Sequence, residues 1–120
     1  MPNWFSASSL SDSVVVTGAS SGIGAACALA LDTLGYRVFA GVRNPADGER
    51  LQRQAGPRLM PIRLDVTDSA SIAAASHTVA AMVGDRGLAG LVNNAGIGVA
   101  GPIELLPLAD WRRQIEVNVF

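Results

Sequence analysis

The sequence predicts an α/β fold built as a doubly wound parallel sheet. Short β-branched and apolar runs alternate along the chain with longer segments of helical period. The first such run passes directly into a loop of small residues and glycines, from Thr17 to Gly24. No low-complexity linker or internal sequence repeat divides the chain, so these units belong to one domain or to part of one.

Taken in order, Val14-Val15-Val16 suits a strand buried on both faces. A helical period begins at Ile23, where Ile23, Ala26, Cys27, Ala30 and Leu34 share one stripe, with Asp32 opposite and Gly35 as the stop. Tyr36 to Val42 predicts a second strand, and Pro45 to Gln54 a helix opening on proline. Met60 to Leu64 is the third strand. Asp68 caps a helix running to about Gly84, with Ile72, Ala75, Val79, Met82 and Val83 turned inward. Leu88 to Val92 is the fourth strand, and a last helix starts near Pro107 and is still running at Phe120. Residues 1–12 are expected to form a tail and 13–120 the domain; Trp4 and Phe5 could dock on it or trail from it.

Composition narrows the function. At 120 residues and 12.4 kDa there is room for one domain. Hydrophobic residues at 49% against 16% charged rule out intrinsic disorder. No apolar run approaches roughly 18 residues, so no membrane span is expected. A net charge of -1 offers no electrostatic footprint for nucleic acid or anionic lipid. Met1 to Ser13 shows no basic start followed by an apolar stretch, so no secretory signal is expected there. A single cysteine, Cys27, makes a reducing cytoplasm the expected compartment. His77 lies opposite the apolar stripe of its helix with no metal partner in sight, so no metal site is expected. All nine basic residues are arginine, and the single tyrosine is Tyr36.

The loop Thr17-Gly18-Ala19-Ser20-Ser21-Gly22-Ile23-Gly24 places three glycines between strand and helix. In such a loop one glycine permits a tight turn, one lets backbone approach a phosphate, and one allows close contact of helix and strand. The helix N-terminus then offers free N–H groups and a positive dipole end to an anion. The spacing is Gly-x-x-x-Gly-x-Gly, and no lysine follows, which excludes a P-loop.

Together with Leu64-Asp65-Val66, Asn93-Asn94-Ala95-Gly96 and Asn118, this loop resembles the short-chain dehydrogenase/reductase family, in its compact branch, from about Asp12 to Phe120. The resemblance implies a Rossmann-like domain of which these residues are the first four βα units. It implies an oxidoreductase that moves a hydride between a nicotinamide cofactor and a carbonyl or secondary alcohol, as a homo-oligomer when full length. It implies cofactor contacts from Gly18, Ser20, Ser21, Gly22, Ile23 and Gly24, and from Asp65 to the adenine amine with the Val66 backbone alongside. Asn93, Ala95 and Gly96 are implied as neighbours of the cofactor ribose.

The second strand ends Gly41-Val42-Arg43-Asn44, with valine where family members that prefer NAD carry aspartate. An aspartate would repel a 2′-phosphate, whereas a guanidinium binds one through two parallel N–H bonds. Such charge-assisted bonds are worth about 1.5–3 kcal/mol, or roughly 10- to 150-fold in affinity. Arg43, aided by Ser20, therefore favours NADP(H), with NAD(H) possible. Gly96, Gly98 and Gly101 also spell Gly-x-Gly-x-x-Gly, but Pro102 follows and no helix is evident there, so flexible lining of a substrate pocket is expected.

Trp111, Ile115 and Asn118 share one helix face. By resemblance Asn118 is the catalytic asparagine whose backbone carbonyl holds a water in the proton relay. The implied serine, tyrosine and lysine fall beyond it, and these 120 residues contain no lysine. The chain by itself is therefore expected to be inactive. The rival readings are a non-catalytic nucleotide-binding fragment and a dinucleotide-sensing protein on the same fold.

Overall fold

The computed structural model describes residues 12–120, so Trp4 and Phe5 lie outside the described residues. The chain runs β1 (Ser13–Val16), α1 (Gly22–Thr33), β2 (Arg37–Val42), α2 (Pro45–Gln54), β3 (Leu59–Arg63), α3 (Ser69–Val83), β4 (Gly90–Val92) and α4 (Leu108–Asn118). A single 3₁₀ turn, Gly84–Arg86, follows α3. The strands form one parallel sheet in the order β3-β2-β1-β4. Strand β1 is central, with Val15 opposite Phe39 on one side and Leu91 on the other. This is the expected doubly wound α/β sheet, and the chain reverses its direction of travel across it between β1 and β4.

Period-two alternation sends successive strand side chains to opposite faces. Val14, Val16, Val38, Ala40 and Leu59 pack with Ala28 of α1 and Leu51 of α2. Val15, Phe39 and Ile62 pack on the other face with Ala75 and Val79 of α3. All four residues of β1 are buried, as a β-branched run covered on both faces requires.

Helix α2 occupies the residues expected, because Asn44 accepts the Ala46 N–H at 3.0 Å and Pro45 takes the first turn. Asp68 caps α3 in the same way, accepting the Ala70 N–H at 3.0 Å. Asp12, assigned to the tail by sequence, is joined to the domain. Its carboxylate receives the Arg86 guanidinium at 2.8 Å, and its carbonyl accepts the Arg37 N–H at 2.9 Å.

Helix α1 corrects the expected stripe. Its buried residues are Gly24, Ala28 and Asp32, whereas Ile23 is 76% exposed and Leu34 47%. The helix is apolar almost all round, so periodicity cannot choose its inner face; the close approach permitted by Gly24 does. Asp32, expected on the outer side, is buried. One of its oxygens accepts the Gly56 N–H at 2.8 Å from the α2–β3 connection, and the other has no partner among the described residues. In α3 the expected Ile72 and Met82 are each more than two-fifths exposed, flanking the buried Ala75 and Val79. Helix α4 ends at Asn118 with Val119 as its C-cap, short of Phe120, and none of its residues is fully buried.

Phe39 is fully buried at the centre of the sheet. Phe39→Ala is expected to lower the unfolding free energy by about 3–5 kcal/mol, measured as a shifted urea midpoint at constant slope.

Candidate functional site

The site is assembled around the hydroxyl of Thr17, one residue beyond β1. Thr17 is buried, and its Oγ1 accepts the N–H groups of Asn94 at 3.0 Å and Ala95 at 2.9 Å. The Asn94 side-chain amide returns to the first loop, donating to the carbonyls of Thr17 at 3.2 Å and Gly18 at 3.1 Å. The loops after β1 and β4 are thereby locked together at the C-terminal edge of the sheet.

Two glycines permit this closeness. Gly18 has φ +62, and a Cβ there would stand 2.7 Å from the Ala95 Cα. A Cβ on Gly24 would overlap the Gly18 carbonyl oxygen and the Asn94 amide. At the N-terminus of α1, Ser21 makes no side-chain capping bond and the first turn holds no acidic residue. The N–H groups of that turn stay open to an anion, unlike those of α2 and α3, which asparagine and aspartate caps partly satisfy. A phosphate-bearing cofactor fits this cradle.

Beside it lies a cleft of about 640 Å³. Gly18, Ser20, Ser21 and Ile23 line it from the first loop, and Arg43 from the end of β2. Asp65 and Val66 line it after β3, and Ala95 and Gly96 after β4. Gly22 and Gly24 belong to the helix start beside the cleft and do not line it. Asn93 differs from expectation. It lines an apolar groove on the α3 face, with Val15 and Ile62, and Asn94 lines the cleft in its stead. The chain leaves β4 by a tight turn in which the Asn94 N–H donates to the Val92 carbonyl at 3.1 Å, and the two asparagines line different pockets.

Asp65 holds a tight local turn. Its Oδ1 accepts the Thr67 hydroxyl at 2.6 Å and the Thr67 N–H at 2.9 Å, while its own N–H donates to the Ser71 Oγ at 2.9 Å. Those two bonds from Thr67, with smaller help from Arg43 and Arg63, hold its carboxyl below the ordinary aspartate value. The other oxygen makes no hydrogen bond among the described residues and is available to a ligand amine. Arg43 is exposed and joins no ion pair among the described residues.

Asn118 is exposed at the end of α4, yet both polar atoms of its amide are bonded. Its Oδ1 accepts the Ile97 N–H at 2.9 Å, and its Nδ2 donates to the Ile97 carbonyl at 2.8 Å. The side chain thus pairs like a strand neighbour and pins the segment after Gly96. No helix starts in the Gly96–Gly101 motif, since the next one begins at Leu108. The sequence left unmarked the Thr17 hydroxyl and the α4 residues Arg113, Glu116 and Val117, which also line the cleft. A hydroxyl directly after a β-branched strand was the available signal for Thr17. The α4 residues carry none, because only the placement of the helix brings them in.

Among the described residues no cluster of His, Cys, Asp and Glu could hold a metal ion, and no helix is long and apolar enough to cross a membrane.

A glycine-rich turn opening onto a cleft at the point where the sheet changes winding defines the dinucleotide-binding class of α/β proteins. The profile of the short chain dehydrogenases matches residues 12–120, and the chain belongs to that family. It is 42% identical over 106 residues to mouse (Mus musculus) retinol dehydrogenase 5, which covers 88% of this chain and 33% of that protein. It is 43% identical over 110 residues to human (Homo sapiens) 17-beta-hydroxysteroid dehydrogenase type 2, covering 89% of this chain and 28% of the relative. The crystal structure of 3-ketoacyl-(acyl-carrier-protein) reductase from Brucella melitensis, complexed with NADH, superposes with a TM-score of 0.83 at 30% identity. That match covers 90% of this chain and 44% of the reductase. The chain therefore spans about a third of the length of these curated relatives.

Thr17→Val is expected to leave the Asn94 and Ala95 N–H groups without their acceptor, costing about 1–3 kcal/mol per buried group; thermal melting and amide exchange at both loops would register it. Asp65 is expected to titrate below 3.8 by carboxyl NMR. Because its folded value is the lower one, its stabilising contribution is present above the unfolded value and is lost as pH falls through the folded value. Thr67→Ala should move the titration up toward 3.8.

Proposed function

We propose that this chain is the cofactor-binding part of an NADP(H)-dependent oxidoreductase acting on a carbonyl or secondary alcohol. The observation that carries the cofactor preference is the end of β2. Val42 offers no carboxylate to repel a 2′-phosphate, and the exposed Arg43 lines the cleft and joins no ion pair among the described residues; its neighbouring acid, Asp65, already accepts two bonds from Thr67. The open N–H groups of α1 would take the pyrophosphate, and the free oxygen of Asp65 the adenine amine. Asn93 is the exception, because it lines the neighbouring apolar groove and not this cleft. When bound, a nicotinamide cofactor supplies or accepts the hydride. The chain's own residues orient it, and Asn118 holds the Ile97 segment at the cleft.

The relatives are named for retinol and for 17-beta-hydroxysteroids, which supports an alcohol–carbonyl pair as the substrate class of the whole protein. Trp111 and Ile115, partly exposed along α4, support self-association of the whole protein through that helix.

One observation favours the non-catalytic reading for these 120 residues taken alone. Tyr36 lies just before β2, roughly 20 Å of strand away from the cleft end at Val42, and the chain has no lysine. Among the described residues no tyrosine–lysine pair therefore stands at the cleft to deliver a proton to a carbonyl oxygen.

Titration calorimetry is expected to give tighter binding of NADPH than of NADH, with a marked loss at higher salt. Arg43→Ala should weaken NADPH by about 10- to 150-fold and leave NADH nearly unchanged. Equal affinities in the unaltered chain would overturn the preference. Carbonyl reduction by the 120-residue chain with NADPH would overturn the assignment of catalysis to further residues.

A further inference from the structure

Resting on the dinucleotide reading, we infer that Arg113 of α4 is a second cofactor contact, laying its guanidinium over the face of the adenine ring. Arg113 and Val117 both line the cleft, as do Asp65 and Val66. They stand one helical turn apart on α4, so their side chains share a face. Arg113 makes no hydrogen bond and no ion pair among the described residues, which leaves its guanidinium free.

The local charge selects a base over a phosphate as the partner. Glu116, three residues on in α4, also lines the cleft, and a carboxylate at that helical spacing offsets the charge of Arg113. That corner is close to neutral and repels a phosphate that comes near the carboxylate. Arg43 has Asp65 as its neighbouring acid, but one oxygen of that carboxylate already accepts two bonds from Thr67, and Arg43 at the end of β2 is the cation suited to the phosphate. A guanidinium is planar and weakly hydrated, and stacks on a π-face in a way that an ammonium does not. The half-buried Val66 and Val117 provide apolar surface for the ring, and the free oxygen of Asp65 provides an edge contact for its amine.

Titration calorimetry of the 120-residue chain with NADP⁺, NAD⁺ and nicotinamide mononucleotide tests this. Arg113→Ala is expected to weaken both dinucleotides by the same factor, roughly 3- to 30-fold, and to leave the mononucleotide unchanged, since it has no purine. Arg113→Lys should restore little of the loss, and Arg112→Ala, outside the cleft, should match the unaltered chain. Unchanged dinucleotide affinities in Arg113→Ala would overturn the inference while leaving the cofactor reading intact. So would a loss confined to NADP⁺, full rescue by lysine, or equal weakening of all three ligands with a lowered melting point. Failure of the unaltered chain to bind either dinucleotide would overturn the cofactor reading itself.

Discussion

The cleft depends on one hydroxyl and the two backbone amides it accepts. Thr17 stands where β1 gives way to loop, and through it the segment after β4 is held against the glycine turn. The Asn94 amide closes the same junction from the other side. Backbone groups that would otherwise be buried without partners are satisfied by two side chains, and the geometry they impose leaves no room for a Cβ at Gly18 or Gly24. The glycines follow from the junction as much as from any ligand.

From this junction the rest of the site is laid out by the parallel sheet. All the strands run one way, so Arg43, Asp65 and Gly96 emerge after β2, β3 and β4 at one edge. The core on each face supports that edge without entering it: Val16 and Ala40 pack toward α1 and α2, and Val15 and Phe39 toward α3. The groups that line the cleft after these strands are therefore carried on loops, while the strands behind them form the core.

Where a local device sets the structure, the sequence was legible. Asn44 with Pro45 marks the start of α2, and Asp68 marks that of α3. The glycine turn between β1 and α1 was equally plain. Legibility fails where several side chains are equivalent locally and only tertiary packing separates them. The alanine-rich α1 has little amphipathic contrast, so its face, and with it the burial of Asp32, is decided by the contact at Gly24. Asn93 and Asn94 are identical residues in sequence, and only the tight turn that leaves β4 distinguishes the one that meets Thr17. Arg113 joins the cleft because α4 folds back over the C-terminal edge, a long-range fact that no spacing in the chain encodes.

The pairing of Asn118 with Ile97 makes α4 a lever. The amide grips the backbone by both of its polar groups, so the segment after Gly96 cannot shift or tilt without moving the end of the helix. Gln114, one turn earlier, grips the same segment at the Val99 N–H. Trp111 and Ile115 share the helix face that carries Asn118 and stay partly exposed beside this grip. The segment after Gly96 and the end of α4 therefore behave as one piece, held at Ile97 and at Val99.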